Sequence, residues 1–203
     1  MVGRIFWASM SDFIGRKPTY FIFFSLGILL YLSIPFTAKA MSVDPIVTYL
    51  ILFYAASMVI FTMYGGGFAT IPAYLADIFG TKYVGGIHGR LLTAWSTAGV
   101  LGPVAITQLR QNSVDSAIND LVSKISPEKF TEIYGASVEN LSLLVQEKTV
   151  TISNLMPHMP EGTINPSTTL YNSTMFAMAG LLAIAFVANL LIGPVNEKHH
   201  MKE

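Results

Sequence analysis

The sequence predicts an all-α integral membrane protein with four transmembrane helices. Only 12% of its 203 residues are charged and 52% are hydrophobic, whereas soluble domains carry about 25% charged residues. The charges also lie in groups, separated by uncharged stretches near the length of about 20 residues that a helix needs to cross a bilayer. Helices are expected because a chain in lipid must satisfy its backbone hydrogen bonds internally.

Four uncharged stretches locate these helices. They are residues 18–38, 45–76, 91–109 and 162–196, which contain 21, 32, 19 and 35 residues. Within them we place transmembrane helices at residues 19–36, 46–72, 91–108 and 170–193. The resulting division is residues 1–18 as a cytoplasmic loop, 19–110 as three helices with short loops, 111–169 as a large extracytoplasmic loop, 170–193 as the fourth helix and 194–203 as a cytoplasmic tail.

The basic residues predict that both termini are cytoplasmic. In that orientation the inner segments hold seven bases against four acids, and the outer segments hold five bases against eight acids. Short loops rich in Lys and Arg stay inside. We therefore expect a multi-pass protein of the plasma (inner) membrane. The inner bases are Arg4, Arg16, Lys17, Lys82, Arg90, Lys198 and Lys202.

The connection at residues 111–169 is too long for a simple turn. It contains SAINDLVSKI, whose apolar residues recur at helical spacing. It ends in MPHMPEGTINP, whose prolines and glycine oppose regular structure. Two interpretations stay open: a small external cap of amphipathic helices, or a surface insertion without a functional role.

The stretch ASMSDFIGRK places a charged turn directly before the first membrane helix. Gly15 allows a tight turn, and Asp12 can accept hydrogen bonds from an arginine or cap a helix. Arg16 and Lys17 can anchor the orientation, or they can form charged contacts that a conformational change breaks. The residues alone leave both roles open.

A glycine run lies inside the second predicted helix. Gly65, Gly66 and Gly67 permit close approach of a neighbouring helix, and Pro72 removes an internal hydrogen bond. The pattern predicts either a flexible or broken element or a site of close packing.

The sequence contains no pattern typical of an enzyme. It has no phosphate-binding G-x-x-x-x-G-K-[ST] loop and no H-E-x-x-H, and without cysteine it has neither disulfides nor thiolate metal sites. We expect no catalytic residues, no cofactor and no metal. The formal net charge of zero gives no overall field towards nucleic acid, so the expected partner is the lipid bilayer.

The charged turn resembles the loop signature G-x-x-x-D-x-x-G-[RK]-[RK] of the major facilitator superfamily, with Ala8 where glycine is usual. Residues 64–103, YGGGFATIPAYLADIFGTKYVGGIHGRLLTAWSTAGVLGP, look like the tenth and eleventh helices of oxalate/formate antiporter-type members. The ending GPVNEKHHM is similar to the tail after their twelfth helix. The resemblance implies a carboxyl-terminal half-bundle that runs from the end of helix eight to helix twelve.

This resemblance implies a truncated or partial secondary carrier of small organic anions, monocarboxylate- or dicarboxylate-like, that works by alternating access. Its partners would be a missing amino-terminal half or another membrane subunit. In oxalate-type members the eleventh helix carries a lysine, but LLTAWSTAG has no base, so we do not expect oxalate specificity. The alternative is a non-transporting fragment or helper subunit that packs with other membrane helices.

Three sets of residues are candidates for roles in such a carrier. Asp77 and Arg90 are a candidate gating pair, although Arg90 is also explained as an interfacial anchor. Asp12, Gly15, Arg16 and Lys17 would form the conformational loop. The candidate lining of the substrate path is Tyr64, Thr93, Trp95 and Ser96.

Overall fold

The computed structural model describes residues 1–43, 46–193 and 195–196. These residues form α-helices and short 3₁₀ segments, and no strand occurs among them. The α-helices are α1 (Val2–Ile14), α2 (Arg16–Val43), α3 (Val47–Phe79), α4 (Val84–Val122), α5 (Pro127–Tyr134), α6 (Leu141–Gln146), α7 (Ile152–Leu155) and α8 (Asn172–Leu191). The 3₁₀ segments are Val138–Asn140, Met156–His158 and Pro166–Thr168. Apart from Val195 and Asn196, the predicted tail lies outside the described residues.

Three helical segments of the described chain are long and apolar enough to cross a membrane: Arg16–Val43, Val47–Phe79 and Pro166–Leu191. They confirm an all-α membrane protein. The predicted count of four is not confirmed, because the predicted span at residues 91–108 lies in α4, which is not among them. Its threonines, serine, glycines and proline make this segment less apolar than the other three.

The relative directions of α1, α2 and α3 follow from their contacts. α2 packs most extensively on α8 and also packs on α3, whereas α1 lies along α3. Tyr20 stacks on Tyr74, and Gly27 faces Met63, so α2 runs antiparallel to α3. α1 begins beside the middle of α3, where Gly3 lies against Thr62. It leads into α2, which begins beside the end of α3, so α1 runs parallel to α3.

Gly66 allows α1 to lie against α3. A Cβ at this position would lie only 2.5 Å from Cβ of Trp7, well inside the separation of about 3.5–4.0 Å that carbon atoms prefer. Trp7 donates through Nε1 to Oγ1 of Thr62 at 3.3 Å and packs edge-on against Phe23 at 4.8 Å between ring centroids. Together with Met63, these two rings form the small core that joins α1, α2 and α3.

Residues 111–169, here named the cap domain, fold around a second apolar core. Phe130 and Leu155 are 0% exposed within it. α4 continues beyond residue 110 to Val122 and contributes Ile118 and Leu121 to the core, while the predicted division of the chain after residue 110 stays a prediction. The buried residues of the core are Ile118, Leu121, Val122, Ile125, Phe130, Val150, Ile152, Leu155 and Leu170.

The cap domain connects the far end of α4 to the start of α8. The hydroxyls of Ser113 and Ser173 lie 3.2 Å apart, and the Arg110 guanidinium lies 5.7 Å from the centroid of the Tyr171 ring.

Burial raises the pKa of Tyr134, whose hydroxyl is buried without a hydrogen-bond partner among the described residues. The loop is therefore a folded helical unit, while its extracytoplasmic location stays a prediction.

Candidate functional site

A cluster of polar residues joins one end of α1, α2 and α3. Arg16 forms an ion pair with Asp12 and donates to Ser11, and its Nε lies 3.9 Å from the Asp77 carboxylate. Gly15 makes the turn between α1 and α2 with φ of 91°, a conformation that favours glycine. The structure thus brings together the charged residues of the predicted signature, and their part in a conformational change stays a prediction.

Lys17 and Asn189 bind α8 to the same end of the bundle. Lys17 Nζ donates to the carbonyls of Leu190 at 3.0 Å and Ile192 at 2.5 Å, where the helix dipole is negative. Asn189 is 3% exposed; its Oδ1 accepts from Tyr74 at 2.9 Å, and its Nδ2 donates to the Lys17 carbonyl at 3.3 Å. Asn189 is not among the predicted site residues. A single amide in the apolar stretch LLAIAFVANLL is nevertheless a sequence signal of a structural or functional role.

Substituting Asn189 with leucine is expected to destabilise the bundle by about 1–3 kcal/mol, because the Tyr74 hydroxyl loses its partner and the hydrogen bond from α8 to the Lys17 carbonyl is removed. The measurement is the free energy of unfolding in detergent micelles. Tyr74→Phe is the matched variant, since it removes one hydrogen bond and leaves no orphaned hydroxyl. The double variant should cost less than the sum of the single variants, and strict additivity would contradict this coupling.

The predicted gating pair is not formed in this conformation. Asp77 pairs with Arg16, and Arg90 has no ion pair in the described part of the chain. Pairing of Asp77 with Arg90 therefore stays a prediction.

α3 is continuous through the predicted flexible element. Gly65, Gly66, Gly67 and Pro72 all lie inside the helix Val47–Phe79. The carbonyl of Gly67 accepts a hydrogen bond from the Tyr20 hydroxyl at 2.8 Å. The glycines thus serve close packing and backbone contact here, while flexibility in another state stays a prediction.

Arg4 lies on α1 beside the middle of α3. It precedes Asp12 by eight residues on α1, which is about 12 Å along a helix axis. Its Cγ lies 3.3 Å from where a Cβ on Gly65 would be, and Gly65 is near the middle of α3. Within the described chain the guanidinium has no hydrogen bond or ion pair. Arg4 thus lies on a helix beside the middle of α3, while the assignment of residues 1–18 to a cytoplasmic loop stays a prediction.

Tyr64 lines two separate cavities. One has a volume of about 470 Å³ and is lined by Arg4, Gly65 and their neighbours on α1 and α3. The other has a volume of about 400 Å³, lies between α2, α3, α4 and α8, and has an almost wholly apolar lining. Its aromatic residues are Tyr20, Phe23, Phe24, Tyr31, Tyr64, Phe68 and Trp95.

Three rings form a continuous row, which we name the aromatic row: Tyr64, Phe68 and Trp95. The ring centroids of Tyr64 and Phe68 are 5.2 Å apart, and those of Phe68 and Trp95 are 5.8 Å apart, both pairs edge-on. Two of the predicted path residues thus meet through Phe68, which is not among the predicted path residues. Its position four residues after Tyr64 on the same helix face was an available signal.

The other two predicted path residues, Thr93 and Ser96, lie on the exposed surface of α4. Their hydroxyls donate to carbonyls of their own helix, Arg90 at 2.6 Å and Leu92 at 3.1 Å respectively. Neither residue lines the two cavities. Their contact with a substrate stays a prediction.

Comparison with known proteins gives one relevant similarity. The chain is similar to the oxalate:formate antiporter of Oxalobacter formigenes. The two are 31% identical over 99 residues, which are 49% of this chain and 22% of the antiporter. No protein-family model matches the chain. No solved structure matches it either.

The aligned part is thus less than a quarter of that antiporter's length. The similarity agrees with the three apolar helices in pointing to a membrane-embedded, transporter-like protein. It extends over only half of this chain.

Proposed function

We propose that this chain forms part of a secondary carrier for small organic anions. The observation that carries the proposal is Arg4, an arginine beside the middle of α3 without an anionic partner in the described chain. A charge at membrane depth is costly, and such residues commonly mark the path of a substrate or ion. Similarity to an antiporter supports the same class of function.

The proposed mechanism is alternating access in a half-bundle like that of the major facilitator superfamily. In this proposal α4 acts as the fourth span, because its 39 residues reach about 58 Å as a helix. The Asp12, Arg16 and Asp77 contacts and the Lys17 bonds to α8 hold one state at one end of the bundle. Changing state would break these contacts, so they set part of the energy difference between the two states.

Uptake by proteoliposomes tests the proposal. Because the proposed carrier needs a second half-bundle, the chain is reconstituted at high density so that two copies can pair, and it is expected to take up at least one labelled anion among acetate, lactate, benzoate and oxalate. Arg4→Gln should lower the initial rate by about tenfold or more, because a charge-assisted hydrogen bond to the anion is lost. Arg110→Gln is the matched control, because Arg110 lies beside Tyr171 and lines neither of the two cavities. This variant should retain the rate.

Absence of uptake above that of protein-free vesicles, by a chain with a normal circular dichroism spectrum, would contradict a carrier that works alone. That result would favour the second candidate, a non-transporting membrane component that packs with other helices. The exposure of α4 favours this candidate, because residues 91–110 are exposed at every position except Gly102 and Leu109. A helix with so few neighbours has faces free for other chains.

A further inference from the structure

A further cavity lies where the cap domain meets the membrane helices. It has a volume of about 370 Å³ and lies between α4, residues 145–153 and residues 167–170. We propose that this cavity binds the headgroup of an anionic phospholipid through its phosphodiester. The phosphate lies at Arg110 and Lys148, and the glycerol backbone lies against the apolar wall of the cavity. This inference does not depend on the proposed function.

The charged lining of this cavity is basic. Arg110 and Lys148 line it, and no carboxylate does so among the described residues. Neither side chain has an ion pair or a hydrogen bond in the part of the chain that the structure describes. The contact of Arg110 with the Tyr171 ring leaves its positive charge in place. Two cations at one cavity repel each other, and a bound anion offsets that repulsion.

Hydroxyl groups of the same cavity supply further donors. Ser153 and Ser167 line it, and their hydroxyls have no hydrogen bond to another described residue. Arginine binds a phosphate through two parallel N–H groups, and lysine binds it as a point charge. A phosphodiester therefore finds two cations and two free hydroxyls at one cavity.

The backbone at Lys148 places a lysine where glycine is favoured. Its φ is 58°, and it is the one residue other than glycine with a positive φ among the described residues. It ends α6, since its N–H donates to the Val145 carbonyl at 3.1 Å and the Thr149 N–H donates to the Leu144 carbonyl at 2.9 Å. Helices that end in this way usually carry glycine at that position. Backbone strain of this kind is common at functional sites, and a role of the ammonium group in binding accounts for it here.

The position and the wall of the cavity favour a lipid over a free anion. Arg110 directly follows the uncharged stretch 91–109, and Tyr171 directly precedes α8. Basic and aromatic side chains at the ends of membrane helices lie at the level of the headgroups. The apolar wall includes four buried residues, Ile118, Val150, Ile152 and Leu170. The glycerol and first methylene groups of a lipid can cover this wall, whereas inorganic phosphate has no apolar part.

Lipid retention tests the inference. The full chain is reconstituted in nanodiscs with equal amounts of phosphatidylglycerol and phosphatidylcholine, and the lipids that stay bound are identified by native mass spectrometry. Phosphatidylglycerol, which carries a net negative charge, should be retained in preference to zwitterionic phosphatidylcholine. Equal retention of the two lipids would overturn the inference. Inorganic phosphate should displace no more lipid than chloride at the same ionic strength, and selective displacement by phosphate would identify a site for a free anion instead.

Matched variants locate the bound headgroup. Arg110→Gln and Lys148→Gln should each lower the preference for phosphatidylglycerol about fivefold, the factor expected for one basic residue at an anionic lipid surface. Lys129→Gln is the control, because Lys129 is an exposed lysine of the cap domain that does not line this cavity. Equal effects of Lys148→Gln and Lys129→Gln would place the lipid elsewhere and overturn the inference.

Lys148→Gly separates loss of the lipid from loss of the fold. Glycine adopts a positive φ without strain, so the cap domain should unfold at a higher temperature while the lipid preference falls as in Lys148→Gln. An unchanged lipid preference in this variant would show that the ammonium group does not bind the headgroup. The cavity shares no lining residue with the two cavities at Tyr64, so lipid retention and anion uptake are independent measurements.

Discussion

Replacing Gly66 with alanine is expected to drive α1 away from α3, whereas the same change at Gly67 is not. The new Cβ at residue 66 would lie 2.5 Å from Cβ of Trp7, so the two helices must separate. Overpacking of this kind costs about 1–3 kcal/mol. Gly67 has no atom within 4 Å of the corresponding position, and alanine there should stabilise the helix by roughly 0.5–1 kcal/mol.

The pair of variants is measured by unfolding in detergent and by Trp7 fluorescence. Gly66→Ala should lower the unfolding midpoint and expose the indole to a more polar environment, while Gly67→Ala should do neither. Because Arg4 lies one helical turn before Trp7, Gly66→Ala should also reduce anion uptake. Identical midpoints for the two variants would show that the close contact of α1 with α3 does not limit stability.

Replacing Phe130 with alanine is expected to unfold the cap domain while the membrane helices remain folded. Phe130 is 0% exposed in the cap core, and a truncation of this kind costs about 3–5 kcal/mol. The cap core shares no buried residue with the core around Trp7 and Phe23. Loss of one should therefore leave the other intact.

Amide hydrogen exchange checks this prediction by region. Phe130→Ala should accelerate exchange throughout α5 and the last turns of α4, with little change in α2 and α3. Leu143→Ala is the control, because Leu143 is 57% exposed and its truncation leaves no cavity. Uniformly faster exchange in α2 and α3 as well would show that the cap domain and the membrane helices unfold together.

Much of the helical framework could be predicted from the sequence. The stretches of α2, α3 and α8 were located because hydropathy and charge spacing are local properties of a membrane helix. The span within α4 was predicted by the same rule, but its threonines and glycines reduce the apolar signal that the rule uses. The extension of α4 to Val122 was missed because Gln108, Arg110 and Gln111 suggest a helix end when read as a membrane boundary.

The candidate site was predicted only in part, for a similar reason. Tyr64 and Trp95 were selected by residue type, but Phe68 joins them only because α3 and α4 bring these faces together. Asp77 was assigned to Arg90 by closeness in sequence, whereas the end of α1 and the start of α2 present Arg16 to it. Neither contact has a local sequence signal.

The sequence by itself determined that this is a helical membrane protein, because each helix responds to lipid separately. Only the tertiary structure decided that Arg4 lies beside Gly65, that Asn189 joins three helices and that residues 111–169 enclose their own core. These features depend on which helix faces meet. That choice is made by packing between residues distant in the chain.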